Sequence, residues 1–244
     1  MTDPTATDLE HLCATLFVGS NATWAGSLSF ADHPDAVPTS CLDDKALFDD
    51  LVGRFGQAHP GADRQAVMSF WSQFYFARLT IVLTTFCLAA DRPLPLDFAG
   101  LKVRFCPQKG TPLCFHLGCG GPARPADALV RSLYDEQIAG TVACLKRHSG
   151  LSARLYWENV GSYGMWILGE MARLQAAPCP AADLLLADLQ WPRTGCTMLP
   201  HMKSAAREAR PAERRVCCLR YRLPGVSRCV QGCPLSAEVT PALA

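Results

Sequence analysis

The residues best equipped for chemistry lie near the C-terminus. The run Glu213-Arg-Arg-Val-Cys217-Cys218-Leu-Arg-Tyr-Arg-Leu-Pro-Gly-Val-Ser-Arg-Cys229-Val-Gln-Gly-Cys233 places four cysteines within seventeen residues, at spacing C-C-x10-C-x3-C. Four thiolates suit either a structural zinc ion or a 2Fe–2S cluster. A vicinal pair is awkward for zinc, whose paired cysteines usually stand about two to four residues apart. Adjacent side chains on extended backbone point to opposite sides, so both sulfurs reach one small centre only through a local kink. A two-iron cluster is a larger target. Pro224-Gly225 and Gly232 supply turns that fold the segment back. Arg214, Arg215, Arg220, Arg222 and Arg228 surround it, and positive charge favours the reduced, more negative form of such a cluster. Arg220 and Arg222 stand beside the vicinal pair as candidates to tune the site or to meet an acidic partner. Three rivals remain open at this point: a non-catalytic protein with a structural zinc held by all four thiolates, an electron-carrying iron–sulfur protein, and four free thiols in a basic tail.

Other constellations are weaker. Cys114-Phe-His116-Leu-Gly-Cys119 brings two cysteines and a histidine together, either as metal donors or, in the reading we favour, as hairpin core plus a loop thiol. Cys13, Cys87, Cys144, Cys179 and Cys196 are isolated and read as small buried hydrophobes. Trp71, Phe74, Tyr75 and Phe76 crowd one helical stretch and read first as core. Trp157, Asn159, Tyr163 and Trp166 are more suggestive, because Asn is a poor helix-interior residue and Gly161 and Gly164 interrupt the same helix. No dinucleotide or P-loop glycine motif, zinc-protease motif or nucleophile elbow occurs, so electrons for any redox chemistry must come from outside.

Three segments together carry a resemblance. The run Arg214-Arg-Val-Cys-Cys-Leu-Arg-Tyr-Arg-Leu-Pro224 with Cys229 and Cys233 resembles the C-terminal signature of the FhuF-like ferric siderophore reductases. Phe70-Trp-Ser-Gln-Phe-Tyr-Phe76 resembles that family's aromatic helix. Trp157-Glu-Asn-Val-Gly161, followed by Trp166 and Glu170-Met171, resembles its Trp-x-Asn-x-Gly segment. The resemblance implies a cytoplasmic oxidoreductase with a 2Fe–2S cluster on Cys217, Cys218, Cys229 and Cys233. It implies one-electron reduction of Fe(III) in a siderophore, of hydroxamate type, with an external donor such as a ferredoxin. Trp71, Trp157, Asn159 and Trp166 are the expected substrate-side residues. The family spacing is C-C-x10-C-x2-C, whereas this chain has x3, so the fourth ligand, Cys233, departs from the pattern.

The elements that must position these residues follow from periodicity and punctuation. Residues 18–39 read as loop. A helix is expected from about Ser40 to Phe55, and a longer, nearly all-apolar one from Ala62 to Ala89, ended by Pro93 and Pro95. Leu101, Val103 and Phe105 alternate with Lys102 and Arg104, and Leu113–Leu117 is the expected return strand of a hairpin. Residues 118–125 read as loop, 126–148 and 152–175 as helices joined at Gly150, and 181–189 as a short helix. The fold class is α+β: mainly helical, with a small antiparallel hairpin or sheet and an irregular cluster-binding C-terminus. We expect a helical domain over 1–200 and a cluster-binding segment over 201–244 packed on it.

The 244-residue chain bounds the remaining alternatives. It is 49% hydrophobic with a net charge of +1, which excludes wholesale disorder and a nucleic-acid polycation. Charge is nonetheless polarised: residues 1–50 carry nine acidic side chains and one Lys, whereas 201–233 carry eight Lys or Arg and two Glu. The longest apolar run, Leu79–Ala90, falls short of the about 20 residues a spanning helix needs, so at most peripheral membrane association is expected. Thirteen cysteines, an odd number, and a polar, acidic N-terminal stretch lead us to expect reduced thiols in the cytoplasm.

Overall fold

The structure is a computed structural model that describes residues 4–90, 92–174, 200–208, 213–229 and 232–235. Helix α1 (Ala6–Leu16) begins at a reciprocal cap: the Thr5 hydroxyl accepts from Asp8 N, and the Asp8 carboxylate accepts from Thr5 N. This Thr-x-x-Asp signature lies in the stretch whose acidity drew attention in the sequence. Residues 19–24 form a short 3-10 helix, and strands β1 (Leu28–Ser29) and β2 (Val37–Pro38) follow. The helix expected from Ser40 starts later. A 3-10 turn occupies Thr39–Asp43, and α2 (Lys45–Gly56) is capped by Asp44, whose carboxylate accepts from Ala46 N and Leu47 N. Asp44 outcompetes Ser40 because its side chain satisfies two of the free first-turn N–H groups.

The central element is one continuous helical rod, Arg64–Ala89. It comprises α3 (Arg64–Phe76), a π turn over Ala77–Val82, and α4 (Leu83–Ala89). Asp63 caps its start by accepting from Ala66 N. Trp71, Tyr75, Phe76, Leu79, Val82 and Phe86 on it are wholly buried, each worth about 1.5–3 kcal/mol relative to exposure. By length and composition this rod is apolar enough to cross a membrane, with a mean hydropathy of 1.2, yet 78% of its most apolar window is packed inside the fold.

The hairpin forms as expected, with β4 (Lys102–Phe105) antiparallel to β5 (Pro112–His116). It grows into a four-stranded sheet, because β2 adds antiparallel to β4 and β1 adds parallel to β5. The parallel partner is a departure from an all-antiparallel sheet. Two-residue strands carry no periodicity, so nothing local could disclose β1. Residues 118–125 also differ from expectation. Cys119–Arg124 form β6, antiparallel to β3 (Leu94–Leu96). Glycine and proline weaken a strand but do not forbid one in a two-stranded ribbon, where half the backbone groups need no partner.

Helix α5 (Ala126–Ser132), a π turn (Leu133–Ile138) and α6 (Ala139–Ser149) make a second interrupted rod. It ends at Gly150, whose left-handed φ of 71° and N–H to Lys146 O form the expected C-terminal cap. Helix α7 (Ala153–Leu174) runs unbroken through Gly161 and Gly164, both buried, and packs along α3 and its π turn. Helix α8 (Pro200–Arg207) contacts α7. The helix expected over 181–189, with Cys179 and Cys196, lies outside the described residues.

Candidate functional site

The cysteine segment is built on α3 and α7. At its entry, Arg215 N donates to the Glu158 carboxylate at 2.8 Å, and Arg154 Nε stands 3.5 Å from the other Glu158 oxygen. Glu158 is wholly buried. Further in, the Ser69 hydroxyl donates to Cys218 O at 2.7 Å. Ser72 Oγ donates in turn to Ser69 O, and Asn159 Nδ2 to Ser72 Oγ. A buried chain of hydrogen bonds therefore runs from α7 through α3 to the backbone of the vicinal pair.

The segment folds as its geometry requires. Leu219 adopts φ 61°, the sole non-glycine positive φ among the described residues. The chain thus turns sharply just after the vicinal pair. The Leu219 N–H turns back onto Cys217 Sγ at 3.4 Å. A 3-10 turn over Arg220–Arg222 and Gly225 at φ 71° then reverse the chain. Leu223, 3% exposed and packed in the core, anchors the loop. Gly232 has φ 66°, and its carbonyl accepts from Arg214 N at 2.9 Å. That bond closes the two ends of the segment on each other.

The four thiols consequently gather. Cys218 Sγ and Cys229 Sγ lie 3.3 Å apart. Two thiolates on one tetrahedral metal with bonds of about 2.3 Å sit about 3.8 Å apart, close to this spacing. The hydrogen bond they share pulls the Cys218 thiol down from its usual range and pushes the Cys229 thiol up. Cys217 is raised, first by burial, and feels both Cys218 and Cys233; Cys229 also feels Cys233. Among the described residues no three His, Cys, Asp or Glu side chains converge on a single ion. Cys217 lies near Cys218 and Cys233, and Cys229 near Cys218 and Cys233, so the segment offers four neighbouring sulfur donors, the donor type of a 2Fe–2S cluster.

The surroundings are aromatic and cationic. The Arg220 guanidinium lies over the Phe70 ring at 5.1 Å, and Arg222 pairs with Asp63 at 3.1 Å on the surface. Phe74 and Tyr221 are two of the three large apolar side chains exposed among the described residues. Tyr163 OH donates to Gln73 O; burial pushes its phenol up, and Cys218, Cys229, Arg214 and Arg220 all act on it.

The expected substrate-side residues separate in space. Trp71 is 0% exposed, with its indole N–H on Gly110 O at 2.8 Å. Asn159 is buried on Ser72. Trp157 and Trp166 are half-buried against the core, Trp166 edge-on to Trp24. In the Cys114–Cys119 stretch, Cys114 and His116 are buried on β5, His116 Nδ1 lies 2.9 Å from Ala31 O, and Cys119 sits on β6. The positioning residues Ser69, Gln73 and Glu158 escaped the sequence reading. Ser69 and Gln73 share a face at i, i+4, and Glu158 adjoins Asn159, but only the docked segment gives them a role.

Two family models match the chain. One, described as ferric iron reductase FhuF-like transporter, covers residues 69–210, and the other, FhuF 2Fe-2S C-terminal domain, covers residues 214–235 and so all four cysteines. No curated protein matches it.

Proposed function

Because the chain belongs to the FhuF-like ferric iron reductase family, whose model spans more than half of it, and carries that family's 2Fe–2S domain, we propose that it is a cytoplasmic ferric siderophore reductase acting on hydroxamate-type complexes. The observation that supports this most is the docking of the four-cysteine segment onto α3 and α7 through Ser69 and Glu158. Cys217, Cys218, Cys229 and Cys233 hold the cluster. When bound, the cluster supplies one electron to the ferric complex, having received it from an external carrier such as a ferredoxin. Hard siderophore oxygens hold Fe(III) tightly and Fe(II) weakly, so that single electron loosens the iron and no bond in the organic ligand need break.

The protein's own residues do the rest. Glu158, Ser69, Ser72 and Asn159 fix the segment in place. Arg220 over the Phe70 ring, Phe74 against that ring and the adjoining exposed Tyr221 present an aromatic, cationic surface to a bulky complex. The test is iron, acid-labile sulfide and zinc analysis with a visible spectrum of anaerobically purified protein, followed by turnover with ferric hydroxamates and an Fe(II) trap. About two iron and two sulfide per chain are expected, with bands that bleach on reduction. Cys218→Ser should lose the bands and reduce ferric complexes no faster than buffer. Stoichiometric zinc without colour, or wild-type turnover by Cys218→Ser, would overturn the reading.

A further inference from the structure

Three buried donors at the cysteine segment lack well-placed acceptors. Gln73 Nε2, Arg214 Nη2 and Arg220 Nε are all shielded from solvent and meet no acceptor in hydrogen-bonding geometry, the Arg220 guanidinium lying instead over the Phe70 ring. A buried N–H left unpaired costs about 1–3 kcal/mol, so each calls for an acceptor that belongs there. Helix geometry says which. Ser69 and Gln73 are four residues apart on α3 and so lie on one face. Ser69 is bonded to Cys218 O, so that face rests on the vicinal pair. Tyr163 OH on Gln73 O fixes the Gln73 backbone at the same place. The Gln73 side chain is near enough to Cys218 to favour its thiolate. Arg214 reaches the segment from its other end, with Nε on Val216 O and N on Gly232 O. Its charge acts on Cys217, Cys218 and Cys229.

We propose that the Gln73 amide and the Arg214 guanidinium are the outer donors of this site, aimed at the ligand sulfurs, and that they set the reduction potential of the cluster. This rests on the assignment of the four cysteines as its ligands. A thiolate bound to iron is an acceptor that cannot rotate away, and an N–H directed at it stabilises the more negative, reduced state. Arg220 keeps the place beside the vicinal pair that sequence spacing gives it, with its backbone N–H directed at Cys218. Its guanidinium lies over the Phe70 ring, and Arg222 pairs with Asp63.

The experiment is a redox titration of the purified holoprotein without siderophore, followed by visible and EPR spectra. Gln73→Leu should lower the ratio of reduced to oxidised protein at a fixed potential about tenfold, or about 59 mV for one electron. Gln73→Glu replaces the donor with an acceptor carrying negative charge and should lower it further, and Arg214→Met should shift it in the same direction. The order wild type, Leu, Glu is a signature that a packing role does not produce. Unchanged potentials in cluster-loaded variants would overturn the proposal. Loss of the cluster from both Gln73 variants would do so too, by making Gln73 a requirement of assembly. Cys218→Ser run alongside separates the two readings: if it retains the cluster, the ligand assignment fails. If it loses the cluster while the Gln73 variants titrate like wild type, only the present proposal fails.

Discussion

At the scale of the residue, the cysteines divide by environment. Burial pushes the thiols of Cys13, Cys87 and Cys144 up to about 12 and that of Cys114 up to about 11, whereas the hydrogen bond with Cys229 pulls the Cys218 thiol down. Spacing alone marked the C-terminal four, because no other stretch concentrates thiols. The isolated cysteines read correctly as small apolar residues where they are described. Leu219, next after the pair, is left-handed, at a cost of about 1–2 kcal/mol for a non-glycine residue, and its N–H meets Cys217 Sγ. Leu219→Pro, which fixes φ near about −65° and removes that N–H, should purify with little iron or sulfide. Leu219→Gly, which adopts the conformation freely, should bind both at the wild-type ratio. Equal cluster content in the two variants would show that the turn at Leu219 does not position the vicinal pair.

Elements were legible where periodicity is long and hidden where a partner decides. The rod Arg64–Ala89 and the hairpin β4–β5 follow from composition and alternation over many residues. The π turns at 77–82 and 133–138 do not, because a one-residue widening leaves the apolar pattern almost unchanged. In the first of them, Arg78 reaches the strands: Nε donates to Ser27 Oγ and Nη1 to Pro112 O. The hairpin turn shows how tightly elements meet. Gly110 has φ +63°, its carbonyl takes the Trp71 indole N–H, and a Cβ there would collide with the Leu51 carbonyl. No rotamer relieves contact with backbone. Gly110→Ala should destabilise the protein by at least about 2 kcal/mol in denaturant unfolding, and a loss under about 0.5 kcal/mol would mean that the turn is not clamped against α2.

At the scale of the whole molecule, the helical core and the cysteine segment depend on each other unequally. The core closes through Trp71, Tyr75, Phe76 and Phe115, none of which touches a thiol of the C-terminal four by hydrogen bond, while the segment needs Ser69, Glu158 and the pocket that takes Leu223. Removing the cluster by chelation should leave the far-ultraviolet helical signal essentially intact and lower the melting temperature. Native alkylation of the stripped protein should then reach the partly exposed Cys217 and Cys229 and spare Cys87. Loss of most helical signal would make the cluster a fold nucleus. The amino-acid sequence by itself determined the family, the donor chemistry and the main helices, because these depend on residue type and short-range spacing. Only the tertiary structure decided that Asn159 is bonded to Ser72 inside the fold and that Glu158 and Ser69 hold the segment. Those roles arise from contacts between residues 57 to 149 positions apart, a separation at which only packing brings one side chain to another.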